Sequence, residues 1–218
     1  MISRLQQHLN DIYQVGSGHD VKDYLITDPL LAKCIGRGSM LTNTSETLLV
    51  SEDEEGLAVS LFLDCDMLER LESADPLRQL RAEQLDDLWK VLEGISHFNC
   101  MIWKASQDRP VTLLELELQA EVDKFVGTMQ LALRQGARDL LTRLHGWLFD
   151  NVRFSEELDD EQTDRYRIAN DYAARFCRRL RRCLINNDQR AMSELRRFYR
   201  LPLCDKISHI HSQAWAGS

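Results

Sequence analysis

The run Leu114-Glu115-Leu116-Glu117-Leu118-Gln119-Ala120-Glu121-Val122-Asp123-Lys124 holds the densest set of side chains suited to acid–base or metal chemistry. On a helix turning about 100° per residue, Glu117 and Glu121 fall within about 40° of each other. Glu121 then lies about 50° from the centre of the apolar stripe of Leu114, Leu118, Val122, Phe125, Met129 and Leu133. A carboxylate at a core boundary has to be paired, protonated or bound to a metal. Helical bundles that hold two metal ions use inward carboxylates, commonly with Glu-x-x-His pairs, and this sequence contains no Glu-x-x-His. His97 on the preceding helix and His145 on the following one are the histidines that would complete a site with Glu117 and Glu121. A helical wheel sets His97 far from its own helix's apolar stripe, which argues against the site. The competing reading pairs the two carboxylates with Lys124, Arg134 or the basic C-terminal helices.

Nucleophilic catalysis has little support. Ser96 and His97 are adjacent, so on a helix they point in different directions, and there is no G-x-S-x-G elbow. Cys100 stands three residues after His97, the spacing of a thiolate pair, but a small buried cysteine is the commoner use of that residue. The Gly36-Arg37-Gly38-Ser39 segment lacks the Lys-Ser/Thr of a phosphate loop and the third glycine of a dinucleotide fingerprint, and reads as a turn.

A second constellation is basic. Arg175, Arg178, Arg179, Arg181, Arg182, Arg190, Arg196, Arg197 and Arg200 are interleaved with Tyr172, Phe176, Phe198 and Tyr199. Arginine forks suit phosphates and carboxylates, and neighbouring aromatics can stack on bases. Within this set Arg175, Arg178, Arg179, Arg182, Arg196, Arg197 and Arg200 are the expected surface for a polyanion or a protein partner. Helical spacing favours a different use of the aromatics: Phe176, Leu180 and Leu184 form one apolar stripe, and Met192, Leu195, Phe198 and Tyr199 another. No recognisable nucleic-acid-binding motif accompanies them.

These groups must be positioned by helices. Residues 2–14 carry Ile2, Leu5, Leu9, Ile12 and Tyr13 at helical spacing. A second short stretch, Tyr24 to Ile35, is interrupted at Asp28-Pro29. Thr47–Ser51 and Leu57–Leu63 are β-favouring runs joined by an acidic, glycine-ended connection, which predicts a hairpin whose Leu57, Val59, Leu61 and Leu63 face packs on helices. From Asp75-Pro76 onward the chain reads as long helices. Leu85, Leu88, Trp89, Leu92, Ile95 and Ile102 make one core stripe, with Ser96 and Asn99 near its centre line and in need of polar partners. Asp108-Arg109-Pro110 ends that helix, and Thr112 with Glu115 has capping-box spacing for the next, which Gly136 stops. Further helical spacing covers Leu140–Leu148, Tyr166–Ile185, Gln189–Tyr199 and a last stretch around Ile207–Trp215.

Composition agrees with a folded chain: 44% apolar and 28% charged residues, with 10 Gly and 4 Pro in 218 residues. Six scattered cysteines without a CxxC pair support neither a zinc ribbon nor a disulfide scaffold. No segment reaches the roughly 20 apolar residues that span a bilayer, and the N-terminus lacks a signal-peptide stretch, so a cytoplasmic location and no membrane partner are expected. The net charge of −8 is divided unevenly, with twelve Lys/Arg against four Asp/Glu from Arg165 onward and fifteen against thirty-one before it. Such asymmetry suits either a polyanion-binding surface or basic helices docked on the acidic part.

The expected fold is mainly α, a compact multi-helix domain over 1–218 with one small N-terminal β-hairpin, in which 1–72 packs on a helical core of 76–215. The expected function is that of an interaction protein, an adaptor or regulator without a cofactor, meeting a protein partner or, with less support, nucleic acid. The alternative is a metal-dependent helical-bundle enzyme holding a divalent metal on the inward carboxylates of the 112–134 helix.

Overall fold

A computed structural model describes residues 1–16, 18–36, 45–53, 56–150, 152, 159–186 and 188–212. The architecture is mainly α with a small three-stranded sheet. Helices α1 (Ile2–Tyr13) and α2 (Pro29–Ile35) precede the hairpin, with a 3-10 turn at Val21–Tyr24 and the two-residue strand β1 (Leu25–Ile26) between them. Strands β2 (Glu46–Asp53) and β3 (Gly56–Leu63) follow, then α3 (Cys65–Ser73), α4 (Leu85–Ser106), α5 (Leu113–Gln135), α6 (Arg138–Phe149), α7 (Asp160–Ile185), α8 (Gln189–Arg200) and α9 (Leu203–His211). The expected Gly36–Ser39 turn lies outside the described residues beyond Gly36.

The hairpin gains a third strand that periodicity could not show. β1 runs parallel to β3, pairing Leu25 with Leu61 and Ile26 with Phe62, so β3 is central in the order β1-β3-β2. Two residues are too short to carry a pattern of alternation. Val59, Leu61 and Leu63 are buried, but Leu57 is 39% exposed, which corrects the expectation that it joins that face. It pairs with Glu52, one step from the Asp53–Gly56 end of the ladder, where Gly56 and Ala58 are exposed as well.

Local chemistry explains the helix boundaries. Asp28 caps α2 by accepting from Leu30 N and Leu31 N, with Pro29 at the first helical position. Thr112 Oγ1 accepts from Glu115 N at 3.2 Å to open α5, and Gly136 closes it with φ +68°, a conformation glycine adopts without a Cβ clash. The second half of the expected Thr112 capping box is not made: the Glu115 carboxylate turns inward to two lysines instead. A complete capping box occurs at Asp159 and Gln162, which starts α7 six residues earlier than Tyr166.

One apolar core runs from Ile2 in α1 to Ile210 in α9, with α4 and α5 at its centre. From Gly94 to Cys100 every residue of α4 is buried, because α1, the sheet and α5 all pack against that stretch. Such enclosure forces polar residues on α4 into the interior whatever the apolar stripe says.

Candidate metal centre

That enclosure places His97, 7% exposed, among carboxylates from three elements. Glu93 lies one turn before it on α4, Glu117 and Glu121 come from α5, and Glu46 comes from the start of β2. Gly94 permits the approach of the sheet. A Cβ there would stand 2.9 Å from both Glu46 Cγ and Leu61 Cδ1 and 3.2 Å from Leu63 Cδ2.

His97 Nδ1 is 3.3 Å from Glu46 Oε1, a hydrogen bond that fixes the ring. Its Nε2 is 3.6 Å from Glu117 Oε2, within ion-pair reach but too far for a hydrogen bond, and it has no hydrogen-bond partner although it is fully shielded from solvent. Glu93, His97 and Glu117 each offer a ligand atom, and these atoms lie within 4.8 Å of one another. Lys124 closes the other side, its Nζ 3.0 Å from Glu93 Oε2 and 2.6 Å from Glu121 Oε1. Glu121 Oε2 is buried without a hydrogen bond.

The electrostatics follow from these distances. Burial pushes the His97 imidazole down, yet its interactions with Glu117 and Glu46 outweigh this and hold it well above its usual value. Burial raises the Glu46 carboxyl, only partly offset by His97. Burial likewise raises Glu121 in spite of Lys124. For Glu93, burial is outweighed by the Lys124 and His97 charges, which lower it. The Lys124 ammonium is held above its usual range because Glu121 and Glu93 overcome the cost of burial. Four carboxylates therefore face two cations.

Helix α7 packs along α5. The Tyr166 phenol is held above its usual range by burial and by the charges of Glu117, Glu93 and Glu46. The Arg165 guanidinium carbon sits 5.8 Å from the Tyr166 ring centroid.

The expected ligand set is thus only partly brought together. His97 and Glu117 meet, whereas Glu121 is engaged by Lys124, and His145 lies elsewhere, with Nε2 3.0 Å from Ala174 O and its ring against Phe125 and Phe149. The wheel-based objection to His97 fails because α4 is enclosed on several sides rather than along one stripe. Glu93 and Glu46 escaped notice. The spacing of Glu93 and His97, four apart on one helix face, was a legible signal, while Glu46 arrives from a strand 51 residues away from His97.

A second buried network shares α4 and α5. Asp123 accepts from Ser96 at 2.6 Å, from Gln119 at 2.8 Å and from the Tyr13 hydroxyl. Lys206, fully buried, donates to Gln119 at 3.0 Å and pairs with Glu115 at 3.3 Å, and Lys104 pairs with Glu115 at 2.7 Å. Burial pushes Asp123 up to about 6 despite its three donors. The polar partners that Asn99 requires are Gln6 and Asn10. Burial raises the Cys100 thiol to about 11, so it is neutral at physiological pH.

The C-terminal arginines divide. Arg196 and Arg200 donate to the carbonyls of Ile12, Tyr13 and Gln14 at the end of α1, and Arg179 to those of Ile210 and Ser212 at the end of α9. Cations at helix C-termini are stabilised by the unpaired carbonyls there. Arg175 pairs with Asp171 at 2.7 Å. Arg178, Arg182 and Arg197 are exposed. Phe176, Phe198 and Tyr199 are buried, with Phe176 stacked on Phe198 at 4.0 Å, which removes them as a platform for bases. Among the described residues, Lys206 to Glu115 is the ion pair that ties this basic segment to the acidic part, so basic helices dock largely through carbonyls. No described helix is long and apolar enough to cross a membrane.

Comparison of the chain with family models, with curated proteins and with solved structures finds no match, and the chemistry of the site stands on its geometry.

Proposed function

We propose that this chain binds a divalent transition-metal ion through His97 Nε2, Glu93 and Glu117. The observation that carries this is the shielded, unbonded Nε2 facing a carboxylate, on a ring whose Nδ1 is fixed by Glu46. A metal-bound histidine typically gives its other ring nitrogen to a carboxylate, so Glu46 is the orienting partner. Metal–ligand bonds near 2.1 Å place ligand atoms about 3–4 Å apart, so the present spacing needs to close by about an ångström. One imidazole with carboxylates suits Mn, Fe, Co or Zn better than Ca or Mg. Lys124 lowers Glu93, offsets part of the rise that burial imposes on Glu121, and limits the negative charge. Because His97 must shed a proton to bind, affinity rises with pH.

The test is calorimetric titration of the chelator-treated full chain with Mn²⁺ and Zn²⁺. One equivalent binds with proton release, and Glu117→Gln or His97→Asn weakens it by at least about 100-fold while the far-UV circular dichroism is unchanged. Substoichiometric binding that is indifferent to both substitutions would overturn the reading.

A second reading, as an interaction protein, is supported by α2. Leu30, Leu31 and Ile35 are 73%, 50% and 48% exposed on a helix that touches the rest of the fold chiefly at β1. Contiguous apolar exposure of this kind favours a protein partner. A photo-crosslinker at position 31 then captures one defined product that Leu30→Asp abolishes; products indifferent to Leu30 count against it.

A further inference from the structure

A cleft of about 290 Å³ opens where α1, the end of α5 and the segment between α3 and α4 meet. Arg4, His8 and Asp11 of α1 line it together with Leu77 of the connecting segment and Leu131 and Arg134 of α5. Its walls are fixed from behind. Gly127 lets α1 lie close to α5, since a Cβ there would stand 3.3 Å from Leu9 Cδ2, and His8 Nε2 reaches the Gly127 carbonyl at 2.9 Å. Gln135 clamps the segment carrying Leu77 by donating to Pro76 O at 2.9 Å and accepting from Leu80 N at 2.6 Å. A carbonyl only accepts, so Nε2 carries the proton of the neutral His8 ring and Nδ1 keeps a lone pair. That ring is 4% exposed, and its Nδ1 meets Arg134 Nη1 at 3.5 Å, the outer limit of a hydrogen bond. Arg134 makes no ion pair among the described residues, so most of its donor fork is unused.

The geometry points to this cleft as a binding site for a small organic carboxylate, with its charged end on Arg134 and its apolar body on Leu77 and Leu131. A guanidinium fork matches a carboxylate through two parallel hydrogen bonds, which an imidazole nitrogen cannot offer. Charge selects a monoanion. Arg4 and Arg78 share Asp75, at 2.9 and 3.7 Å, and with Arg134 and Asp11 the cleft and its rim hold three arginines against two aspartates. One carboxylate cancels the single positive charge left over, whereas a doubly charged phosphate overshoots it. Size sets the rest. A volume near 290 Å³ stands at the lower end of the roughly 300–1,000 Å³ of small-molecule sites, which suits a ligand no larger than one ring with its acid group.

The experiment is titration of the full chain with benzoate and, separately, with acetate and benzamide, followed by NMR through the assigned His8 ring signals. In the expected result benzoate saturates one site and moves those signals. Acetate, which lacks the apolar body, and benzamide, which lacks the charge, bind about tenfold or more weakly. Arg134→Gln, on the exposed rim, weakens benzoate about tenfold or more with far-UV circular dichroism unchanged. Arg138→Gln alters an exposed arginine outside the lining and leaves benzoate affinity within about twofold. No saturation by benzoate at about 10 mM, His8 signals that stay in place, or an affinity unchanged in Arg134→Gln overturns the inference. Benzamide or acetate binding as tightly as benzoate overturns it as well. The metal centre stands or falls separately, because none of the cleft residues is among its ligands.

Discussion

The two buried polar clusters on α4 and α5 are made of similar residue types and differ in how they close. Around Asp123 the chain of contacts runs from Tyr13 and Ser96 through Gln119 and Lys206 to Glu115 and Lys104, with two carboxylates against two ammonium groups. Around His97 four carboxylates face two cations, and Nε2 of His97 and Oε2 of Glu121 make no hydrogen bond. A closed network orders the helices that contribute to it, here tying α9 and α1 to α5. An open one has capacity left for a ligand. Burial alone does not distinguish them, since both are shielded. The difference lies in charge balance: Glu115 Oε1 also makes no hydrogen bond, but it sits between two ammonium groups, 2.7 Å from Lys104 and 3.3 Å from Lys206.

The sharpest way to break the comparison is Lys206→Met, which opens the closed network. Its loss leaves two carboxylates facing the Lys104 ammonium alone and strips Gln119 Oε1 of its donor, and we expect destabilisation of about 3–5 kcal/mol in urea unfolding. A cost under about 1 kcal/mol would remove the distinction.

Next in size is pH dependence. Asp123 has a folded value of about 6, raised by burial from the usual 3.8, so the folded state holds its proton more tightly than the unfolded state. The contribution of Asp123 to stability is therefore complete below 3.8 and is lost as pH rises through 6, by on the order of 3 kcal/mol. Asp123→Asn should flatten that slope. His97, also raised, adds stability that is complete below its unfolded value of 6.5 and lost as pH climbs through its higher folded value. His97→Asn should remove this second loss and leave the first, as read from denaturation midpoints across pH.

Gly94→Ala tests the approach of sheet to helix. The added methyl would meet Glu46 Cγ and Leu61 Cδ1 at 2.9 Å, and overpacking of this kind costs about 1–3 kcal/mol. It should also push Glu46 from His97 and weaken metal binding, read by Mn²⁺ titration. The smallest effect is expected from Glu117→Gln in the metal-free protein. Removing one of four carboxylates from a cluster with excess negative charge should change the unfolding free energy by less than about 1 kcal/mol in urea, in contrast to Lys206→Met. Equal costs would place both clusters in the structural class.

The helices that carry both clusters were legible because their apolar residues repeat at three and four, and because Thr112, Gly136 and Pro110 mark boundaries by local chemistry. Glu117 and His97 were nameable from their types. Their meeting was not, since the wheel treated α4 as one-sided, and only packing shows it enclosed from Gly94 to Cys100. The arginines show the same limit. Their density was plain in the sequence, but that Arg196 and Arg200 serve the end of α1 depends on a carbonyl more than 180 residues earlier.

By itself, then, the sequence determined the mainly helical class, the hairpin and the residue types available for chemistry, because those follow from local periodicity and turn preference. Tertiary structure alone decided which charges are paired. Glu115 stands at capping-box spacing from Thr112 but is the partner of Lys104 and Lys206; Glu46 carries no local signal and is the partner of His97. Contacts between side chains distant in sequence depend on how whole elements pack, and no local period encodes that.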